Sequence, residues 1–344
     1  MSILSSTPAR ELSTHEPLAH GPLAQEPLGP QLALTLKCRE TEVPSDASGP
    51  TILTQRYMSY PLSVSPIFRL DERGRRHAVS AESTDGLTEA DYRQRAYLYR
   101  MNTSPGLLAG DVLGMSIKLE SGSSLLLADQ AATKVHTMPV DGPIERRSAK
   151  VNYSIEVGDR ATLEFLPEPL ILFKDAALKQ TTDICLHPSA GLSWGEIILP
   201  GRLARGERYQ FQEYWSRTQI SSSIDHEMFS KGEMWFTDAM KLLGKQNPFV
   251  DSPLFASGSV FGSLILVLPE TVATPEALRT LSQQIDRLSS TQLSLEIASS
   301  VLPKERGLFV RAIAHTTRDL QSAFNSAANC VRQLRHQPPL PYSL

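Results

Sequence analysis

A chain of 344 residues with 41% apolar side chains can bury one large core or two ordinary ones. Its formal charge of −3, without a block of five like charges, lacks the electrostatic footprint of a nucleic-acid binder. The longest apolar run, Leu264 to Leu268, is far too short to cross a bilayer, and the opening Met1-Ser-Ile-Leu-Ser has no basic region of a secretion signal. No nucleic acid, no membrane and a cytoplasmic location are therefore expected.

Along the chain, residues 1–30 repeat Glu16-Pro-Leu, Gly21-Pro-Leu and Glu26-Pro-Leu with no periodicity that could bury a face, which predicts a disordered tail. From Gln31 onward, apolar residues recur every second position. Leu32, Leu34 and Leu36 begin the series, then Leu113, Met115, Ile117 and Leu119, then Val151, Tyr153, Ile155 and Val157. Leu163 with Phe165, and Tyr209, Phe211 and Trp215, read the same way. Turns such as Val157-Gly-Asp159 and Pro200-Gly201 separate these runs. The pattern predicts roughly fifteen strands, too many for one ordinary sheet, so stacked or wrapped sheets are expected.

Two late segments change period. Thr274-Pro-Glu is a helix start, followed by the stripe Ala277, Leu278, Leu281, Ile285 and Leu288. Thr316-Thr-Arg-Asp319 starts another, with Leu320, Phe324, Ala327, Val331 and Leu334 on one face and Pro338-Pro339 beyond it. The expected organisation is mainly β with two C-terminal α-helices. A single domain spans 31–337, with a C-terminal tail at 338–344. The cysteines, Cys38, Cys185 and Cys330, are odd in number and far apart, which suits neither a disulfide framework nor a zinc knuckle.

Standard catalytic and phosphate-binding motifs are missing. Asp225-His226-Glu227 is the one tight ionisable cluster with a histidine, and it reads as a solvated hairpin tip, because neighbours on a strand point to opposite faces. Four segments stand out instead: Asn102-Thr-Ser-Pro-Gly-Leu-Leu-Ala-Gly-Asp111, Asp129-Gln-Ala-Ala-Thr-Lys-Val-His136, Leu163-Glu-Phe-Leu-Pro-Glu-Pro-Leu-Ile-Leu-Phe173, and Gly201-Arg-Leu-Ala-Arg-Gly-Glu207. Their turns rest on Gly106, Gly110, Gly201 and Gly206. Their carboxylates have ordinary readings: Asp111 caps a turn, Arg202 pairs with Glu207, and Glu164 faces water.

Taken in order and spacing, these four segments resemble the UreD (UreH) family of urease accessory proteins, over about Leu53 to Arg335. The resemblance implies a layered, solenoid-like β body with two helices. It further implies a non-enzymatic metallochaperone scaffold that binds UreF, joins the GTPase UreG, and serves nickel insertion into apo-urease. On that reading Asp111, Thr133, Glu164, Glu168 and Glu207 are candidates for a polar nickel path or for motif structure. No high-affinity metal site and no tightly bound cofactor are expected, only transient Ni2+, because a conduit needs weak oxygen ligands where storage needs converging His or Cys. The chain departs from the family pattern at Leu107 and Ala109, where glycines are usual, and at Glu168-Pro169, where the carboxylate has moved by one residue. It also lacks a Pro-Arg-x-Trp ending.

Two other readings compete. One is a cytosolic β-solenoid hydrolase acting on carbohydrate through paired carboxylates such as Asp111 and Glu168. The other is an adaptor with the same partners and no metal path, in which the carboxylates only brace turns.

Overall fold

The computed structural model describes residues 29–39, 49–70, 95–143, 147–223, 231–246, 252, 258–291 and 294–341. The Pro-Leu repeats and the Asp225-His226-Glu227 cluster lie outside them.

The chain winds as a flattened coil. After β1 (Leu32–Cys38), β2 (Thr51–Met58) and β3 (Leu62–Val64), it alternates between two sheets. β4 (Ala96–Asn102), β6 (Ser124–Asp129), β9 (Thr162–Leu166) and β12 (Gly191–Leu199) lie side by side and parallel in one sheet. β5 (Val112–Leu119), β8 (Ala149–Val157), β11 (Ala177–Leu186) and β13 (Glu213–Ser223) do the same in the other, beside β1. Two short strands, β7 (Thr133–Val135) and β10 (Leu170–Leu172), occupy the corner of successive turns. Each turn of chain buries its apolar inner face against its neighbours and the facing sheet, which is the logic of a solenoid.

Antiparallel strands close both ends: β2 and β3 at one, β14 (Lys231–Leu242) and β15 to β17 (Val260–Val267, Leu295–Val301, Gly307–Ala314) at the other. Two long helices lie on the outer face of the sheet that holds β4, β6, β9 and β12: α1 (Pro275–Asp286) packs on its end strands β16 and β17, and α2 (Thr317–Leu334) on β12, β15 and β17. That sheet is the middle of three layers, so its strands are buried on both faces. This explains why β9 is buried at all five positions although only Leu163 and Phe165 were expected inside. Leu163 and Phe165 join the core between the sheets, and Leu166 joins the core under the helices.

Both helix starts match expectation. The Thr274 hydroxyl accepts from the Ala277 amide at 3.2 Å and the Thr316 hydroxyl from the Asp319 amide at 3.1 Å. Leu320, Phe324, Ala327 and Val331 are buried against the sheet, so the α2 stripe is core. Among the described residues no helix is long and apolar enough to cross a membrane. The structure breaks one expected alternation: Tyr209 and Phe211 lie in a loop before β13, whose apolar core residues are Tyr214 and Ile220, while Trp215 lies under Lys179 and outside that core. A two-residue period carried across a corner loses its phase.

Candidate functional site

The four motifs stack at one corner of the coil. The Leu107 amide donates to Lys134 O at 2.8 Å, the His136 amide to Leu107 O at 2.9 Å, and the Phe173 amide to Val135 O at 3.0 Å. Leu107, Val135 and Leu172 are thus neighbouring rungs. Leu107 is buried among the core side chains. The corner demands close backbone approach. A Cβ on Gly106 would lie 2.5 Å from Lys134 O, and one on Gly201 would lie 1.4 Å from Glu207 O. Gly110 and Gly206 turn at φ 83° and 73°.

Two of the candidate carboxylates brace this corner. Asp111 accepts from the Leu108 amide at 2.8 Å, as a turn cap does. Glu207 takes both prongs of the Arg202 guanidinium, with Nε at 2.7 Å, and accepts from the Lys174 amide at 3.3 Å. The Arg202 bonds hold the Glu207 carboxyl below its ordinary pKa. Arg202 also covers the Phe173 ring at 4.2 Å.

Glu164 goes elsewhere. It points from β9 toward α2 and is 3% exposed, where a water-facing residue was expected. Arg332, fully buried, clamps both its oxygens, with Nε at 2.7 Å, and Arg95 stands at 3.9 Å. Burial pushes this carboxyl up, but Arg332, Arg95 and Arg335 outweigh it and bring it down to about 2. Burial, with Arg95 and Arg332 close by, takes Arg335 to about 10 despite Glu164. Glu164 lines neither cavity described below and ties the last helix to the middle sheet.

Thr133 and Glu168 meet at a hollow between the sheets. A cavity of about 60 Å³ is lined by Arg100, Asp129, Thr133, Tyr153, Gln180 and Glu196 among others, and by Glu168. A second, of about 230 Å³, lies on the helix side and is lined by Gln130, Gln321, Phe324 and Asn325 among others. Asp129, Pro167, Glu168 and Ile197 line both. Glu168 of the third motif therefore stands where the two hollows adjoin.

The polar lining includes residues that the motifs did not single out. Arg100 grips Asp129 through Nε at 2.6 Å and Nη2 at 2.9 Å, and donates from Nη1 to the Tyr153 hydroxyl at 3.0 Å. Tyr153, Phe165 and Trp194 wall this pair with mutual ring contacts. Glu196 accepts from the Tyr214 hydroxyl at 2.5 Å and from the Gln180 amide. Burial raises the Glu196 carboxyl above its ordinary pKa, and nearby Asp238 adds to this, against the two donors. A charged residue inside a run that is apolar on both faces, as in Tyr97-Leu-Tyr-Arg100 or Trp194-Gly-Glu196, was the available signal.

Among the described residues, no three His, Cys, Asp or Glu converge as a metal-holding group. The geometry is that of a scaffold around a polar hollow, built from a parallel two-sheet coil with helices on one side. Residues 31–343 match the family model described as UreD urease accessory protein. The chain is 44% identical over 298 residues to the urease accessory protein UreD of Trichodesmium erythraeum, covering 86% of this chain and 95% of that one. It is 32% identical over 225 residues to UreD of Actinobacillus pleuropneumoniae serotype 5b, covering 65% and 77%. It is 27% identical over 286 residues to UreD of Bacillus cereus, covering 80% and 95%. The chain belongs to the UreD family of urease accessory proteins; it is an accessory protein and not an enzyme. The hydrolase reading falls with that, and Asp111, its supposed partner carboxylate, is engaged in a turn.

Proposed function

We propose that this chain is the scaffold of a cytoplasmic urease-maturation complex with UreF and the GTPase UreG, and that Ni2+ crosses its interior on the way to apo-urease. The observation that carries the reading is the pair of adjoining cavities, with Glu168 at their junction and Glu196 in the inner one. No described cation pairs with Glu168. Glu196 is held by the neutral donors Tyr214 and Gln180, and burial disfavours its charged form, which a dication arriving there would stabilise. Oxygen donors at Thr133, Gln130 and Asn325 extend the lining. Weak oxygen ligands suit an ion that must leave as well as arrive. Asp111 and Glu207 are turn braces on this reading, and Glu164 is a structural anchor.

The test is nickel per urease active site, by elemental analysis, after co-expression of urease and the accessory proteins with and without this chain. Loss of nickel with urease still assembled supports the reading; equal loading overturns it. Glu168→Gln and Glu196→Gln separate a path from a plain adaptor. Both are expected to keep the complex assembled while lowering nickel loading, and unchanged loading in both leaves the adaptor reading standing.

A further inference from the structure

Asp129 and Glu168 are the two carboxylates that line both cavities, and their circumstances differ. Asp129 ends β6 directly beside Arg100 of β4, its register partner. Both oxygens of Asp129 are taken by the planar fork of Arg100, and the pair is nearly buried, at 8% and 9% exposure. The fork is itself fixed: its third nitrogen bonds the Tyr153 hydroxyl, and the Tyr153 and Phe165 rings lie 5.5 and 5.2 Å from its centre. Glu168, by contrast, is in no ion pair among the described residues. The junction thus holds two carboxylates and one guanidinium that claims the first of them.

We infer that Arg100 limits the affinity of this junction for a divalent cation, keeping a crossing point from becoming a trap. Affinity for a dication in an oxygen site rises with the number of carboxylates free to ligate it. With Arg100 in place the junction offers Glu168 and neutral oxygens, with a net charge of −1 from Asp129, Glu168 and Arg100. Without it, Asp129 and Glu168 together present −2 across one gap. An arginine suits this task better than a lysine, because it stays protonated in a buried place and its two prongs occupy both carboxylate oxygens. This inference rests on the proposed path, whose ion must not be held on the way.

The experiment measures Ni2+ binding to the full chain, purified in complex with its co-expressed accessory proteins. The complex is dialysed to equilibrium against nickel chloride and its metal is measured by elemental analysis. Arg100→Met is expected to bind Ni2+ about tenfold or more tightly than the wild type and to release it more slowly to a chelator. Arg100→Met/Asp129→Asn, which removes the freed carboxylate as well, is expected to return to about the wild-type affinity. Equal affinity in Arg100→Met and wild type overturns the inference, and so does tight binding that persists in the double variant. Should Arg100→Met not fold, Arg100→Gln carries the same expectation with a smaller change of polarity. Because urease is absent from this assay, failure of the path itself shows up separately, as normal nickel loading of urease without the chain.

Discussion

Replacing Glu164 by glutamine removes the one described carboxylate that faces Arg95, Arg332 and Arg335. The carboxyl is 3% exposed, so solvent screens it little. Its pKa falls from an ordinary 4.5 to about 2, and at about 1.4 kcal/mol per unit this corresponds to roughly 3 kcal/mol of stability at neutral pH. Breaking a buried ion pair by removing one partner costs about 3–5 kcal/mol by an independent route, which agrees in size. The sign follows from the lowered pKa. The contribution is complete above the unfolded value near 4.5 and is lost as pH falls from there through about 2. Urea unfolding followed by fluorescence of the three tryptophans, at neutral pH and down to about pH 3, measures both effects. Glu164→Gln is expected to unfold at markedly lower urea at pH 7 and to show a shallower loss of stability in acid than the wild type. A variant within about 1 kcal/mol of wild type at pH 7, with the same acid slope, would refute the assignment of Glu164 as the anchor of the last helix.

Gly201→Ala places a Cβ where Glu207 O already stands, so soluble yield and melting temperature should both drop sharply; a normal melt would show that the corner can open. Glu207→Gln weakens only a partly exposed pair with Arg202, and should leave complex assembly and urease nickel content unchanged, in contrast to Glu168→Gln. A loss of nickel loading in Glu207→Gln with the complex intact would move the path to the motif corner. Truncation before Thr317 uncovers the apolar face beneath α2, including Leu264, Leu266 and Ala312, and is expected to yield insoluble chain. Soluble truncated protein would mean that the helix is dispensable for the fold.

Legibility in the sequence followed the range of the interaction. Helix starts at Thr274 and Thr316 were readable because a cap needs only its own side chain and an amide three residues on. Turn braces were readable for the same reason: Asp111 reaches Leu108, and Arg202 reaches Glu207, within a few residues. The β character and the two C-terminal helices came from period alone. Glu164 was misjudged because alternation says only that it opposes Leu163 and Phe165. It does not say that a helix 168 residues away covers the opposite face with Arg332.

The sequence by itself determined the local conformation, the strand-and-corner rhythm and the family. These depend on side-chain volume, backbone freedom and contacts between near neighbours. Only the tertiary structure decided which polar residues share a space. Arg100 and Asp129 are 29 residues apart, and Gln180 and Glu196 are 16 apart, yet coiling brings each pair into contact. Glu168 shares a hollow with Gln321 and Asn325 because α2 folds back over the middle sheet. The coil sets such meetings through the number of residues in each turn, a sum over the whole chain that no single motif contains.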